Sequence, residues 1–442
     1  MRASLFLTTL ADSFVAGEPS VDAVAARLTQ TLGKAFPWIS PLAQRYVSWT
    51  AGRTRPRRRD VLEFLRTDRK FQRAWSKHHH EWTIQHWIPE PLQMQPVCAA
   101  KNWQIPAITS IADLADWLAL SFSELLWFAD LKGLAYRNTS LKLSHYHYRI
   151  LAKKYGNVRL IEVPKSRIKR LQRQILAQVL ERIPPHPSVH GFIKGRSITT
   201  FVALHVARRV VLRMDLKDFF PTFAAARIQT LFRTLGYPEA VADLLGGICT
   251  NAVPRGIWKD KPLECSAEQF RVAAELYSRP HLPQGAPTSP ALANLCTYRV
   301  DCRLAGLAAS AGATYTRYAD DLAFSGEKDF ERVVDRFSTH VGAILLEEGF
   351  TVCFRKTRAM RQGVRQHLAG LVTNARTNIM RPDFDRLKAI LTNSVRYGPE
   401  SQNRDALPDF RAHLEGRVAF VEMVNSAKGQ RLRRIMEQID RK

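Results

Sequence analysis

Residues 314–325 read "TYTRYADDLAFS", two strand-like runs that meet at the acidic pair Asp320 and Asp321. Runs of this kind pair as a hairpin, residues 314–318 against 322–325, with both carboxylates at the turn. A second segment, "RVVLRMDLKDFF", reads as a buried strand ending in Asp215. If that strand lies beside the hairpin, three carboxylates converge and repel one another. Hard divalent cations, which take oxygen ligands, relieve that repulsion. The expected occupants are two Mg²⁺ ions, with Mn²⁺ as a substitute, held by Asp215, Asp320 and Asp321. Two such ions about 3.5–4 Å apart activate an attacking hydroxyl and stabilise a leaving pyrophosphate, so the chemistry expected is nucleotidyl transfer. Two Asp in a turn are also ordinary hairpin chemistry; the aromatic flanks and the matching strand-end Asp215 favour the metal reading.

Charge points to the same class of substrate. The 442 residues carry 66 Lys and Arg against 40 Asp and Glu, a net charge of +26. Such an excess repels itself unless a polyanion takes it up, and nucleic acid is the commonest one. No run of 18 apolar residues is present, so no membrane span is expected. The start "MRASLFLTTLADSF" does not read as a signal peptide. The six cysteines show no CxxC or zinc-finger spacing and are expected to be reduced thiols in a cytoplasmic protein.

Length allows two or three domains. Residues 1–105 are expected to form a basic helical extension closed by a Pro-rich linker, "WIPEPLQMQPVCAAKNWQIP". Between Arg53 and Lys77 it holds ten Lys or Arg and three Asp or Glu. Trp38, Trp49, Trp75, Trp82 and Trp87 interleave with the arginines; base stacking with phosphate contact explains them, and so does core packing. His78, His79, His80 and His86 have only Glu81 as a nearby carboxylate, which argues against a metal site. Ser110 and Ser121 are expected N-caps of two short helices. "YRILAKKYGNVRLIEVPK" reads as two strands turning at Gly156 and Asn157. Residues 166–183 read as a basic helix, 327–348 as a further helix, and the tail from Arg381 as helical and basic. The pattern predicts an α+β fold with helices on one face of a sheet.

"YADD" in an aromatic hairpin, "LRMDLKDFFPTF" before it and "LPQGAPTSPALANL" between them resemble, in that order, the motifs of the reverse transcriptases. The resemblance covers roughly residues 110–440. It implies a right-hand polymerase: fingers and palm over 106–375, the palm an antiparallel sheet, and a helical thumb over 376–442. It implies that Asp215, Asp320 and Asp321 are the catalytic metal ligands. Phe220 matches the bulky residue under the deoxyribose that excludes a 2′-hydroxyl; either of the adjacent Phe219 and Phe220 could instead be core, and Phe220 is the favoured gate. Gln284 and Gly285 match the loop lining the nucleotide pocket. Arg159 matches the fingers Arg that grips the triphosphate, with Lys153 or Lys154 as helpers. The substrates implied are dNTPs and an RNA–DNA hybrid.

Within that family, "SVHGFIKGRSI", "SELLWFAD" and "GLVTNARTNIMR" resemble segments of the bacterial retron enzymes. The resemblance implies a cognate structured noncoding RNA as template and primer, synthesis from a guanosine 2′-hydroxyl to give branched RNA–DNA, and a role in antiphage defence with an effector or toxin protein. The chain departs from the retron pattern at "FVALH", which keeps His205 but not the preceding Asn-Ala, and at Leu368-Ala369-Gly370 in place of VTG. Arg167, Lys169, Arg170, Arg173 and His205 are the expected RNA contacts. No second acidic cluster follows, so RNA removal is expected from host RNase H. The other readings left open are a non-retron defence-associated or group II intron-like reverse transcriptase, and a catalytically silent RNA-binding protein.

Overall fold

Helical spacing of apolar residues builds the N-terminal region. In the computed structural model, which describes residues 3–51, 56–88, 94–137, 143–152, 158–258 and 266–439, it forms α1 (Ala3–Val15), α2 (Val21–Leu32), α3 (Ile39–Thr50), α4 (Arg58–Thr67) and α5 (Arg69–His78). Phe14, Leu28, Leu42, Tyr46, Phe64 and Phe71 close into one core, where Trp38, Trp49, Trp75 and Trp82 also pack. Trp87 is exposed, and its indole N–H donates to Asp12. Asp68 caps α5 by accepting from the Phe71 N–H, and the Arg45 guanidinium donates to both of its oxygens, at 2.7 and 2.8 Å. That fork sets the angle between α3 and α5.

The chain divides into two units, one of Met1–Pro184 with Phe220–Cys296 and one of Pro185–Phe219 with Thr297–Lys442. In the first, the Pro-rich stretch runs extended against residues 234–236: Gln95 and Val97 N–H groups donate to the carbonyls of Gly236 and Thr234, at 2.8 and 3.2 Å. Gly236 has φ 102°, and a Cβ there would stand 2.4 Å from Pro96 N, so only glycine permits this approach. Ser110 and Ser121 cap the helices Ile111–Leu118 and Phe122–Ala129, each in a capping box with the acid three residues on. β1 (Tyr146–Ala152) and β2 (Val158–Pro164) pair antiparallel, Tyr146 opposite Pro164 and Ala152 opposite Val158. Lys153, Lys154 and the Gly156–Asn157 turn lie outside the described residues, as does Cys265. The other five cysteines are free thiols. The basic helix spans Ser166–Gln178, after which the chain tightens into a 3₁₀ turn at Leu180–Arg182 instead of continuing to 183 as α-helix.

The second unit is organised by β3 (Val210–Asp215), which pairs antiparallel with β5 (Asp321–Gly326) on one side and β6 (Arg358–Arg361) on the other. β4 (Ala313–Tyr318) completes the order β4-β5-β3-β6. Side chains alternate across a strand, so Val211, Ala323 and Met360 share one face. Phe201 and Val202 of the helix Ile198–Ala203 pack there, together with Leu387, Leu391, Leu414, Val418 and Leu432 of the C-terminal helices. The opposite face meets the helix Lys328–Glu347: the Phe324 and Phe337 rings lie edge-on at 5.1 Å. Helices therefore cover both faces, not one as expected. Both faces of β3 are apolar apart from Arg213 and Asp215, so each needs a cover. The small strands β7 (His367–Leu368), β8 (Leu371–Val372) and β9 (Asn378–Ile379) lead into the helices Arg381–Tyr397, Phe410–Val424 and Ser426–Met436. Among the described residues no helix is long and apolar enough to cross a membrane.

Candidate active site

Asp215 ends β3 directly opposite Asp321, the first residue of β5. Asp320 precedes it in the hairpin turn, and its carbonyl accepts from the Leu216 N–H at 3.0 Å. Both oxygens of Asp215 accept from Lys356 Nζ at 2.8 Å. Asp321 Oδ1 accepts from Arg213 Nε at 3.0 Å and Nη2 at 2.7 Å. Asp320 makes no such ion pair among the described residues. Burial pushes its carboxyl above the usual range, and the charges of Asp215 and Asp321 push it further. Burial also raises Asp321, outweighing the Arg213 guanidinium. Lys356 is held above its ordinary value: burial works against its charge, but the Asp215 carboxylate outweighs that.

Among the described residues, no three acidic, imidazole or thiol side chains stand already arranged around a metal ion. Asp215 and Asp321 are turned toward Lys356 and Arg213. The donor set still fits a hard divalent cation, being all oxygen. It also leaves the half-buried Asp320 without an ion pair among the described residues, with its proton affinity raised.

A buried pair fixes the turn from behind. Arg317, wholly buried, donates from Nε and Nη2 to the two oxygens of Asp301, both at 2.8 Å, and from Nη2 to Thr297 Oγ1 at 2.7 Å. Tyr315 OH donates to Asp301 Oδ1 at 2.7 Å. The remaining arm of Arg317 donates to the carbonyl of Ala319 at 3.1 Å. Ala319 has φ 55°, a left-handed conformation that costs a non-glycine residue about 1 kcal/mol. Gly191 backs the same residue, since a Cβ there would come 2.6 Å from Ala319 N. The turn that aims Asp320 is thus held from its carbonyl and its amide side.

The first unit carries the other candidate residues except His205. Arg159 is exposed on β2, and Phe220 is half-buried in the short helix Phe219–Thr222 beside the buried Phe219. The Gln284 carbonyl accepts from the Glu162 N–H at 2.9 Å. Gly285, at φ 131°, lies so close to β2 that a Cβ would stand 2.8 Å from the Glu162 carbonyl. Glu162 itself is buried: Oε2 meets His281 Nε2 at 2.9 Å and Oε1 accepts from Asn251 Nδ2 at 2.8 Å. His281 Nδ1 faces the Arg279 carbonyl at 2.7 Å, so both ring nitrogens face oxygen acceptors. Burial alone would lower its pKa; the Glu162 charge and both hydrogen bonds outweigh that and raise it. This pair ties β2 to the loop of Gln284 and Gly285.

Arg167, Lys169, Arg170 and Arg173 lie on the helix Ser166–Gln178. Arg167 pairs with Glu124 at 2.6 Å and lies over the Phe128 ring. His205 is corrected: it is fully buried, with Nδ1 2.7 Å from Ser325 Oγ and Nε2 2.7 Å from Thr316 Oγ1, so no RNA reaches it. Burial and then Arg208 push its pKa down to about 3. The unfolded chain, with histidine near 6.5, takes up a proton that the folded chain refuses. Stability therefore falls as pH drops from about 6.5 toward 3. Between pH 7 and 5 His205 alone is expected to cost about 2 kcal/mol. Urea midpoints measured across that range check this, and His205→Gln is expected to flatten the slope.

Arg213, Lys356, Arg317 and Glu162 were not among the expected site residues. Arg213 alone carried a local signal: it stands two residues before Asp215 in an otherwise apolar strand, which puts both on one face.

Residues 151–390 match the reverse transcriptase (RNA-dependent DNA polymerase) family. The chain belongs to this family, with its right-hand, α+β polymerase fold. It is 42% identical over 294 residues to the retron Mx65 reverse transcriptase of Myxococcus xanthus, covering 66% of this chain and 64% of that protein. It is 36% identical over 339 residues to the retron Mx162 reverse transcriptase of the same organism, covering 73% and 65%. To the retron Ec86 reverse transcriptase of Escherichia coli it is 28% identical over 343 residues, covering 77% and 93%. All three of these relatives are reverse transcriptases of bacterial retrons. The chain spans just under two thirds of the length of the first two.

Proposed function

We propose that this protein is the RNA-directed DNA polymerase of a retron, a metal-dependent nucleotidyltransferase. The observation that carries the reading is the register of β3 and β5, which sets Asp215 opposite Asp321 with Asp320 beside them, in a chain of this family. Asp215, Asp320 and Asp321 would hold the divalent ions, Mg²⁺ first and Mn²⁺ as substitute. When bound, these ions supply Lewis-acid activation of a hydroxyl nucleophile and neutralise charge on the leaving pyrophosphate. Arg213 and Lys356 neutralise the carboxylates they touch and hold their orientation. Arg159 grips the triphosphate of a dNTP, Gln284 and Gly285 line its pocket, and Phe220 crowds out a 2′-hydroxyl. Arg167, Lys169, Arg170 and Arg173 contact the RNA or hybrid backbone.

The template is a cognate structured noncoding RNA, priming is from a 2′-hydroxyl to give branched RNA–DNA, and host RNase H removes the copied RNA. An effector or toxin protein completes the system in antiphage defence. Residues 1–105 form an N-terminal extension, 106–375 the fingers and palm, and 376–442 the thumb. Phe220→Ala is expected to lower discrimination against ribonucleotides at least about tenfold, the scale of a lost steric contact in a pocket, read as the ratio of kcat/KM for dNTP and rNTP. Unchanged discrimination moves the gate elsewhere.

The reading is tested by purifying the protein from its host and sequencing the nucleic acid that accompanies it, with and without RNase. One abundant short RNA covalently joined to DNA supports a retron. DNA without linked RNA points to another defence polymerase, and RNA alone to a silent RNA-binding protein.

A further inference from the structure

The N-terminal helices hold a cavity of about 500 Å³ that the polymerase reading does not use. Phe36, Trp38 and Trp82 line it together with Arg73 and Lys77 of α5 and with Glu81. The aromatic wall is firm: Trp38 and Trp82 ring centroids lie 4.6 Å apart, and Trp38 meets Phe71 edge-on at 5.5 Å. The cations are available. Arg73 and Lys77 are exposed, one helical turn apart, and neither side chain makes an ion pair or hydrogen bond among the described residues. Arg69 on α5 and Arg66 near the end of α4 are exposed as well. By contrast Arg45, Arg57, Arg58 and Arg59 of this region all have acidic partners. An unpartnered basic face beside an aromatic cavity matches a strand whose phosphates follow the helix while a base enters the cavity.

We infer that this cavity and the α5 face form a second nucleic-acid site, for single-stranded polynucleotide, with an unpaired base against Phe36 and Trp38 and phosphates on Arg73 and Lys77. Glu81 accepts from exocyclic amino groups of the base and disfavours a phosphate inside the cavity. The site rests only in part on the proposed function: it would guide the template RNA of a polymerase, but its chemistry needs no catalysis.

The test uses the full-length protein and a 4-thiouridine-labelled 12-nucleotide RNA, with a DNA of the same sequence carrying 4-thiothymidine. Photocrosslinked peptides are identified by mass spectrometry, and affinity is measured across a salt series. Crosslinks are expected in residues 34–38 or 73–82. The double variant Arg73→Glu, Lys77→Glu is expected to abolish them, weaken binding about tenfold, and flatten the log K against log salt slope by about 1.4, two phosphates at about 0.7 each. Phe36→Ala, which keeps both cations, is expected to lose the crosslinks and leave the salt slope unchanged. RNA bound more tightly than DNA means that 2′-hydroxyls are read; equal binding means that phosphate and base suffice. Crosslinks confined to residues beyond 105, or unchanged affinity and slope in the double variant, would overturn the site. Primer extension in parallel separates the two ideas. Wild-type polymerase activity with no N-terminal crosslink removes the second site alone, while crosslinks in a protein that makes no DNA remove the polymerase reading alone.

Discussion

Asp320→Asn is expected to reduce DNA synthesis by at least about 10³-fold, ~4 kcal/mol of transition-state stabilisation, without lowering the melting temperature. The two halves of this expectation have one cause. Asp320 is half-buried beside two other carboxylates and has no ion-paired cation of its own among the described residues, and its raised proton affinity expresses that cost. Asparagine keeps the shape and removes the charge, so the protein free of metal loses repulsion and keeps its packing. What it also loses is an anionic oxygen for a divalent ion. Synthesis measured with purified variant over a Mg²⁺ series, beside a thermal melt, reads both. An active variant would remove Asp320 from the metal set, and a variant that melts much lower would make its role structural.

Arg317→Ala is expected to be the most destabilising single change in the unit, by about 3–5 kcal/mol. It leaves the wholly buried Asp301 carboxylate, among the described residues, with the Tyr315 OH as its one remaining side-chain donor, and it frees the carbonyl of the left-handed Ala319. Arg317→Lys is expected to fall between, because an ammonium cannot repeat the fork that reaches Asp301, Thr297 and Ala319 together. Replacing both partners, Asp301→Asn with Arg317→Met, is expected to recover part of the loss, since no uncompensated charge stays behind. Denaturant midpoints order the four proteins. Wild-type stability in Arg317→Ala would show that the pair adds nothing to the hairpin.

Strand alternation and the YADD turn made the acidic centre readable in the amino-acid sequence. Period two fixes which residues of 210–215 and 321–326 share a face, and an apolar strand of that length pairs in few registers. The capping serines were readable for the same local reason. Contacts between distant segments were not. Lys356 lies 141 residues from the Asp215 it bonds, and nothing in "FRKTRAMR" says which of its cations turns inward. His205 looked like a contact residue by family pattern, yet its partners are two hydroxyls more than a hundred residues away, which bury it. Interleaved tryptophan and arginine carried two meanings because a helix sorts them by face: on α5, Phe71 turns into the core while Arg73 and Lys77 turn out. Helices on both sheet faces were missed because an apolar strand reads alike with one cover or two.

The most direct test of the central claim is primer extension by the purified protein on a defined RNA template with dNTPs, with and without EDTA, alongside Asp320→Asn. The account predicts DNA of template-directed sequence that requires a divalent cation and is absent with the variant. Synthesis that survives EDTA or the variant, or no DNA from a folded, RNA-bound wild-type protein, would contradict it.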